Sequence, residues 1–184
     1  MRKLLLLWAL MAIACGGAAA QLVNENLLVA MPEGYKVGFS DRKQRLIMQE
    51  MVPAAETVEA WTEMLTVQIF LGLKGVTPAQ YSDRQQGQWA KACAGAQSRP
   101  VASGVENGYP FTLWLSSCPR NAATGRPEIT WFKAMQGNDS FYLVQKAFKF
   151  EPSKAQIATW TNYFKKVSVC DSRLADRPCP VTKN

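Results

Sequence analysis

Residues 128–150 read EITWFKAMQGNDSFYLVQKAFKF, and this stretch decides the fold. Two apolar runs, Ile129–Met135 and Phe141–Phe150, flank residues 136–140, whose Gly, Asn and Asp accept the positive φ of a tight turn. The pattern therefore predicts a β-hairpin. Strand side chains alternate between two faces, and both faces of this hairpin carry apolar groups, so it needs cover above and below. The odd-numbered apolar residues are Trp131, Met135, Phe141 and Leu143, and the even-numbered ones are Phe132, Val144, Phe148 and Phe150.

The rest of the chain supplies further strands and two helices. Alternating or β-prone runs predict strands at residues 27–31, 35–40, 45–52, 61–70, 99–105 and 109–117. Thr77 and Gln80 form a capping box that predicts a helix from Pro78 to about Ala94. A second box, at Ser153 and Gln156, opens a helix with an apolar stripe. We therefore expect an α+β fold, a single antiparallel β-sheet of about six or seven strands packed by two helices.

The first 20 residues have the features of an export signal. Arg2 and Lys3 precede an apolar run of eleven residues, Leu4–Ala14, and three alanines follow at positions 18 to 20. A membrane-spanning helix needs about 20 apolar residues, so the run is too short for a span. Cleavage after Ala20 would leave residues 21–184 as a single exported domain, with 170–184 as an irregular tail held by a disulfide.

An alternative cleavage site lies between Ala14 and Cys15. The Ala-Cys-Gly sequence after an apolar run resembles a bacterial lipoprotein box, and cleavage there would leave Cys15 for lipid attachment. The expected location is therefore periplasmic or secreted, with a lipid-anchored envelope protein as the alternative.

Four cysteines remain after removal of the signal: Cys93, Cys118, Cys170 and Cys179. In an oxidising compartment an even number of cysteines indicates disulfides. Among the three ways to pair them, we favour Cys93 with Cys118 and Cys170 with Cys179, because each pair closes a short loop. Zinc is disfavoured because the chain has no His and no close Cys-x-x-Cys spacing.

The composition excludes several enzyme classes. With no His in the chain, Ser-His and Cys-His mechanisms are excluded. The sequence contains no phosphate-binding loop or dinucleotide fingerprint, so no cofactor is expected. We expect a non-catalytic envelope binding or accessory protein.

A basic charge balance indicates the kind of partner. The formal net charge is +7, or +5 once Arg2 and Lys3 are removed. An exported chain meets little nucleic acid, so an anionic envelope component or an envelope protein is the expected partner. Lys133, Lys146 and Lys149 lie on the predicted hairpin and are candidate anion-binding residues.

A pair of carboxylates offers a different hypothesis. Glu59 and Glu63 flank Trp61 and share a face with it if the strand begins as early as Glu59. Two carboxylates beside an aromatic ring can bind a sugar or act as an acid and base, so a carboxylate-based enzyme acting on envelope glycan is the alternative function.

Two stretches resemble known sequences, residues 56–68 (ETVEAWTEMLTVQ) and 137–147 (GNDSFYLVQKA). Together with the export signal and Cys93, Cys118 and Cys170, they resemble a group of small exported bacterial proteins, mostly of unknown function. The order of elements is similar to the α+β sandwich of the PsbP/Mog1 type. The resemblance implies an envelope location, and it carries over no ligand site.

Overall fold

The structure is a computed structural model that describes residues 22–180. The predicted signal peptide, with Cys15 and Ala20, lies outside the described residues. Within residues 22–180, neither helix is long and apolar enough to cross a membrane.

Nine strands and two helices make up the described chain. The strands are β1 (Glu25–Leu28), β2 (Tyr35–Lys43), β3 (Leu46–Pro53), β4 (Glu63–Leu71), β5 (Gln97–Glu106), β6 (Tyr109–Cys118), β7 (Glu128–Gln136), β8 (Ser140–Phe148) and β9 (Ser168–Asp171). The helices are α1 (Pro78–Ala92) and α2 (Lys154–Lys166). Both begin at the predicted capping boxes, in which Thr77 and Ser153 accept from the backbone of Gln80 and Gln156.

The predicted hairpin is the centre of a seven-stranded antiparallel sheet. The strand order is β2-β3-β4-β8-β7-β6-β5, so β8 has three strands on each side. In the hairpin register Trp131 lies opposite Lys146, and Lys133 lies opposite Val144. Odd-numbered residues of β7 therefore share a face with even-numbered residues of β8.

Each face of the sheet is covered by one helix, as the two apolar faces of the hairpin require. On the α2 face, Trp131, Val144 and Phe148 pack with Trp160 and Phe164 of the helix. On the α1 face, Trp114 stacks on Phe132 with ring centroids 5.0 Å apart. Trp89 and Tyr81 of α1 pack against this second cluster. The α+β class is thus confirmed.

The prediction of a single sheet is wrong in one respect, because β1 and β9 form a separate two-stranded sheet. Cys170 and Asp171, predicted to begin an irregular tail, belong to β9. β1 overlaps the strand predicted at residues 27–31, but its partner β9 is only four residues long, too short for an alternating pattern to stand out in the sequence.

The small sheet is fastened to the tip of the β7–β8 hairpin by Glu25. Its carboxylate accepts backbone N–H groups from Asn138, from Asp139 at 3.0 Å and from Ser140 at 3.2 Å. The hydroxyl of Tyr142 donates to the same carboxylate at 2.9 Å. A Cβ at position 137 would collide with this carboxylate, which explains the glycine there.

Both predicted cysteine pairings are present. Cys93–Cys118 joins the end of α1 to the end of β6, and Cys170–Cys179 ties the tail to β9. Two disulfides indicate a protein that matures in an oxidising compartment, as exported proteins do.

Candidate functional site

Lys146 lies in the middle of the sheet, fully buried beneath α2. Its Nζ is 2.8 Å from Oε2 of Glu63 and donates to the hydroxyl of Tyr35. The ammonium also lies 4.1 Å from the ring centroid of Trp160 and 4.5 Å from that of Phe148. One carboxylate and a set of aromatic rings thus compensate a charge that is removed from water.

Burial lowers the pKa of Lys146 to about 8, although the hydrogen bond from its ammonium to Glu63 and the charge of that carboxylate oppose the shift. Burial also raises the pKa of Tyr35, whose hydroxyl donates to Glu63 Oε2 at 2.7 Å. Gln156, in the first turn of α2, donates from Nε2 to Glu63 Oε1 at 3.1 Å. Glu63 therefore connects the start of β4 to Lys146, Tyr35 and α2.

Glu56 lies next to this network in the loop before β4. Its carboxylate accepts from the backbone N–H of Thr62 at 2.7 Å and from the Thr62 hydroxyl. Burial alone would raise the pKa of Glu56, but these hydrogen bonds and the charge of Lys146 hold it below its usual value. Glu56 thus stays ionised and orders the loop that leads into β4.

Lys133 has a separate role on the same face. Its Nζ donates to the backbone carbonyls of Phe164 at 3.0 Å and Val167 at 2.7 Å, and it forms an ion pair with Glu106. Burial lowers the pKa of Lys133, an effect opposed by Glu106. The ammonium satisfies carbonyls at the C-terminal end of α2, where positive charge opposes the helix dipole.

The exposed fractions of Lys133 and Lys146 are 1% and 0%, so these two residues do not form the anion-facing surface patch expected from the sequence. The register does place them on one face of the hairpin, but α2 covers that face. Their ammonium groups are already bonded within the protein.

Lys149, the third candidate lysine, lies in a cleft at the surface. We call it the Trp61 cleft, a cavity of about 430 Å³ lined by Glu59, Ala60, Trp61, Thr62, Thr124, Arg126 and Lys149. The Lys149 Nζ is 3.7 Å from the ring centroid of Trp61, and burial lowers the pKa of this lysine. Among the described residues, no carboxylate lies within 4.0 Å of the side-chain nitrogens of Lys149 or Arg126.

The two candidate carboxylates do not share a cavity. Glu59 lines the Trp61 cleft, whereas Glu63 lines a second cavity of about 430 Å³ together with Tyr35, Gln156 and Trp160. Glu59 and Glu63 were expected to share a strand face only if the strand begins as early as Glu59; β4 begins at Glu63 and Glu59 lies in the preceding loop, so this condition is not met.

Comparison with known proteins does not show which family this chain belongs to. No protein-family model matches the chain, and no curated protein matches it. Among solved structures it is similar to the crystal structure of LpqN, which is described as involved in cell envelope biogenesis of Mycobacterium tuberculosis. The TM-score is 0.41 with 11% identity, covering 85% of this chain and 87% of that one. So distant a likeness carries no argument about function, and the PsbP/Mog1 similarity stays a prediction.

Several residues of these sites were not predicted from the sequence. Glu106 pairs with Lys133, and Glu56 lies near Lys146, but no local pattern in the sequence marks either glutamate for this role. Arg126 lies between two predicted strands, in a polar segment of the sequence that gives it no functional signal. A clue to Arg126 existed in retrospect, since its loop directly precedes β7 and so must lie at the same end of the sheet as Lys149.

Proposed function

We propose that this protein is a non-catalytic accessory protein of the periplasm that binds an anionic envelope component through the Trp61 cleft. The proposal rests on the surroundings of Lys149 and Arg126. Both cations line one cavity, neither has a carboxylate within ion-pair distance among residues 22–180, and the Lys149 ammonium is held against the Trp61 ring.

The composition of the cleft favours an acidic sugar as the bound group. Arg126 and Lys149 can donate to a carboxylate or phosphate, and a guanidinium suits two oxygens at once. Thr124 adds a hydroxyl group to the same lining, whereas the Thr62 hydroxyl already donates to Glu56. Glu59 can accept from sugar hydroxyls, and it reduces the charge of the three ionised side chains in the lining to one net positive charge; Glu128 and Glu56, outside the lining, also act on the charge of Lys149. A ligand with one negative charge and several hydroxyls complements this set.

The arrangement of the carboxylates supports binding rather than catalysis. An acid and base pair needs both carboxyl groups in one cavity, on either side of the bond that breaks. Glu59 and Glu63 line different cavities, and both oxygens of Glu63 are engaged by Lys146, Tyr35 and Gln156.

A titration of the chain from residue 21 with glucuronate and with neutral glucose tests the proposal. We expect glucuronate to change the tryptophan fluorescence and glucose to change it much less. Lys149→Met and Arg126→Gln should each weaken glucuronate binding about tenfold or more, since each removes a charge-assisted hydrogen bond. Lys154→Met is the matched control, because Lys154 is an exposed lysine outside the cleft. Equal binding of both sugars, or no effect of Lys149→Met, would overturn the proposal.

The location is tested by the intact mass of protein recovered from its native compartment. A chain that begins at Gln21 supports the periplasmic form. A chain that begins at an acylated Cys15 supports the lipid-anchored alternative.

A further inference from the structure

At the end of the sheet opposite the Trp61 cleft, four basic residues lie around the β2–β3 turn and after β4. The turn between β2 and β3 lies beside the segment that follows β4, and the backbone N–H of Leu71 donates to the carbonyl of Arg45 at 2.7 Å. We call this region the basic tip. Its residues are Arg42, Lys43, Gln44, Arg45, Leu46, Phe70, Leu71, Gly72, Leu73 and Lys74.

The charges of the basic tip are mostly free to meet a partner. Lys43 pairs with Asp41 at 3.1 Å, but the Lys43 side chain is 83% exposed, so water screens this pair. Within the described chain, Arg42, Arg45 and Lys74 have no carboxylate within ion-pair distance. All three are exposed.

Between these cations lies an apolar surface. A cavity of about 340 Å³ is lined by the aliphatic and aromatic side chains of Leu46, Phe70, Leu71 and Leu73, with Lys43 and Arg45 in the same lining. All four apolar residues are only partly buried, and Phe70 and Leu73 also pack against the core cluster on the α1 face. Cations beside partly exposed apolar groups match the chemistry of a membrane surface, where anionic headgroups lie above acyl chains.

We propose that the basic tip docks onto a membrane surface rich in anionic phospholipid. The argument is charge complementarity, since three unpaired cations and one screened pair face outward around apolar groups. A lysine or arginine near such a surface strengthens binding about fivefold. The proposal does not depend on the Trp61 cleft, so one can fail while the other stands.

The same docking would orient the rest of the molecule. The hairpin tip lies at this end of the sheet, because Gly72 donates to the carbonyl of Asp139 at 3.0 Å and Gln136 donates to that of Lys74 at 3.1 Å. Glu25, the first residue of β1, is bound there too, so the N-terminal part of the domain meets the membrane side. The Trp61 cleft lies at the other end of β4, roughly 25 Å away along the strand, and would face away from the membrane.

Vesicle sedimentation of the chain from residue 21 tests this proposal. We expect binding to mixed phosphatidylglycerol–phosphatidylcholine vesicles and little binding to pure phosphatidylcholine. The triple variant Arg42→Gln, Arg45→Gln and Lys74→Gln should bind about a hundredfold more weakly, which is the product of three fivefold losses. High salt should also weaken binding of the unaltered chain, because it screens the attraction between the cations and the anionic headgroups.

The control is a second triple variant, Arg84→Gln, Lys91→Gln and Lys154→Gln, which removes three exposed charges located on the helices. It has the same net charge as the first variant and should keep most of the binding. Equal loss in both variants would mean that only total charge matters, and it would overturn docking by the basic tip. Absence of binding to anionic vesicles, or equal binding to neutral ones, would overturn it as well.

Discussion

Lys146 and Glu63 form an ion pair between the two neighbouring strands β8 and β4, with Nζ 2.8 Å from Oε2, on the face of the sheet that α2 covers and near the end where β4 begins. Lys146 is fully buried, while the Glu63 side chain retains 20% exposure and two further hydrogen-bond donors, Tyr35 and Gln156. The two partners therefore depend on each other unequally. Without Lys146 the carboxylate keeps two hydrogen-bond donors, whereas without Glu63 the buried ammonium keeps only the Tyr35 hydroxyl and aromatic rings, none of which carries a counter-charge.

Removal of the Glu63 charge should therefore lower the free energy of unfolding more than removal of the Lys146 charge. Glu63→Gln leaves a buried ammonium without its counter-ion, and we expect a loss of about 3 to 5 kcal/mol in the free energy of unfolding. Lys146→Met should cost less, because methionine fills the apolar space and Glu63 keeps Tyr35 and Gln156. Urea denaturation of both variants and the double variant measures this. Additive losses in the double variant would contradict the coupling.

The stability should rise with pH between about 8 and 10. The pKa of Lys146 falls from its ordinary value of 10.5 to about 8 in the folded protein. Between these values the unfolded chain binds more protons than the folded one, so the free energy of unfolding increases with pH. Above about pH 10 the raised pKa of Tyr35 acts in the opposite direction, because tyrosine loses its proton only in the unfolded chain.

Urea denaturation of the unaltered protein across this pH range, beside Lys146→Met, measures the effect. Other groups, including Lys133, titrate in both proteins, so the difference between the two curves isolates Lys146. The difference should grow from about pH 8 upwards. Parallel curves would show that Lys146 is not the group responsible.

Removal of the disulfide that closes the longer loop should lower the free energy of unfolding more than removal of the other disulfide. The cysteines are 25 residues apart in Cys93–Cys118 and 9 apart in Cys170–Cys179. The chain-entropy relation predicts that these disulfides stabilise the folded protein by about 3.5 and about 2.5 kcal/mol, respectively. Double Cys→Ala variants of each pair, followed by urea denaturation, test the order. A reversed order would mean that contacts in the reduced chain outweigh the loop length.

Glu25→Gln should loosen the small sheet without unfolding the domain. The neutral amide cannot match the charge-assisted bonds to Asp139 and Ser140, so a local loss of about 1 to 2 kcal/mol is expected. Hydrogen exchange should accelerate about tenfold at β1 and β9 and change little at β8. Glu33→Gln is the control, since Glu33 is exposed. Unchanged exchange at β1 would contradict the role of Glu25.

The parts of the fold that local signals encode could be predicted. A capping box is a short pattern, so both helices start where Thr77 and Ser153 indicate. The hairpin at residues 128–150 was also predictable, because its turn residues and apolar runs are contiguous in sequence. Its two-sided apolar pattern required the two helices that lie on either face.

The burial of the lysines could not be predicted, because their partners are distant in sequence. Glu63 lies 83 residues before Lys146, and Glu106 lies 27 residues before Lys133. A lysine on a strand is usually exposed, since burial of an unpaired ammonium is costly. Only the strand register of the sheet and the position of α2 show that each lysine is buried beside a carboxylate that compensates its charge.

The pairing of β1 with β9 has a consequence for how the molecule is made. A chain that emerges N-terminus first presents its opening strand long before residues 168–171 leave the ribosome or the export channel, and β9 is the strand to which β1 pairs. Until then Glu25 can be held only by the hairpin tip, so the two-stranded sheet closes only after β9 has emerged. A product truncated before residue 168 would expose an unpaired strand, a feature by which proteases could recognise the unfinished chain.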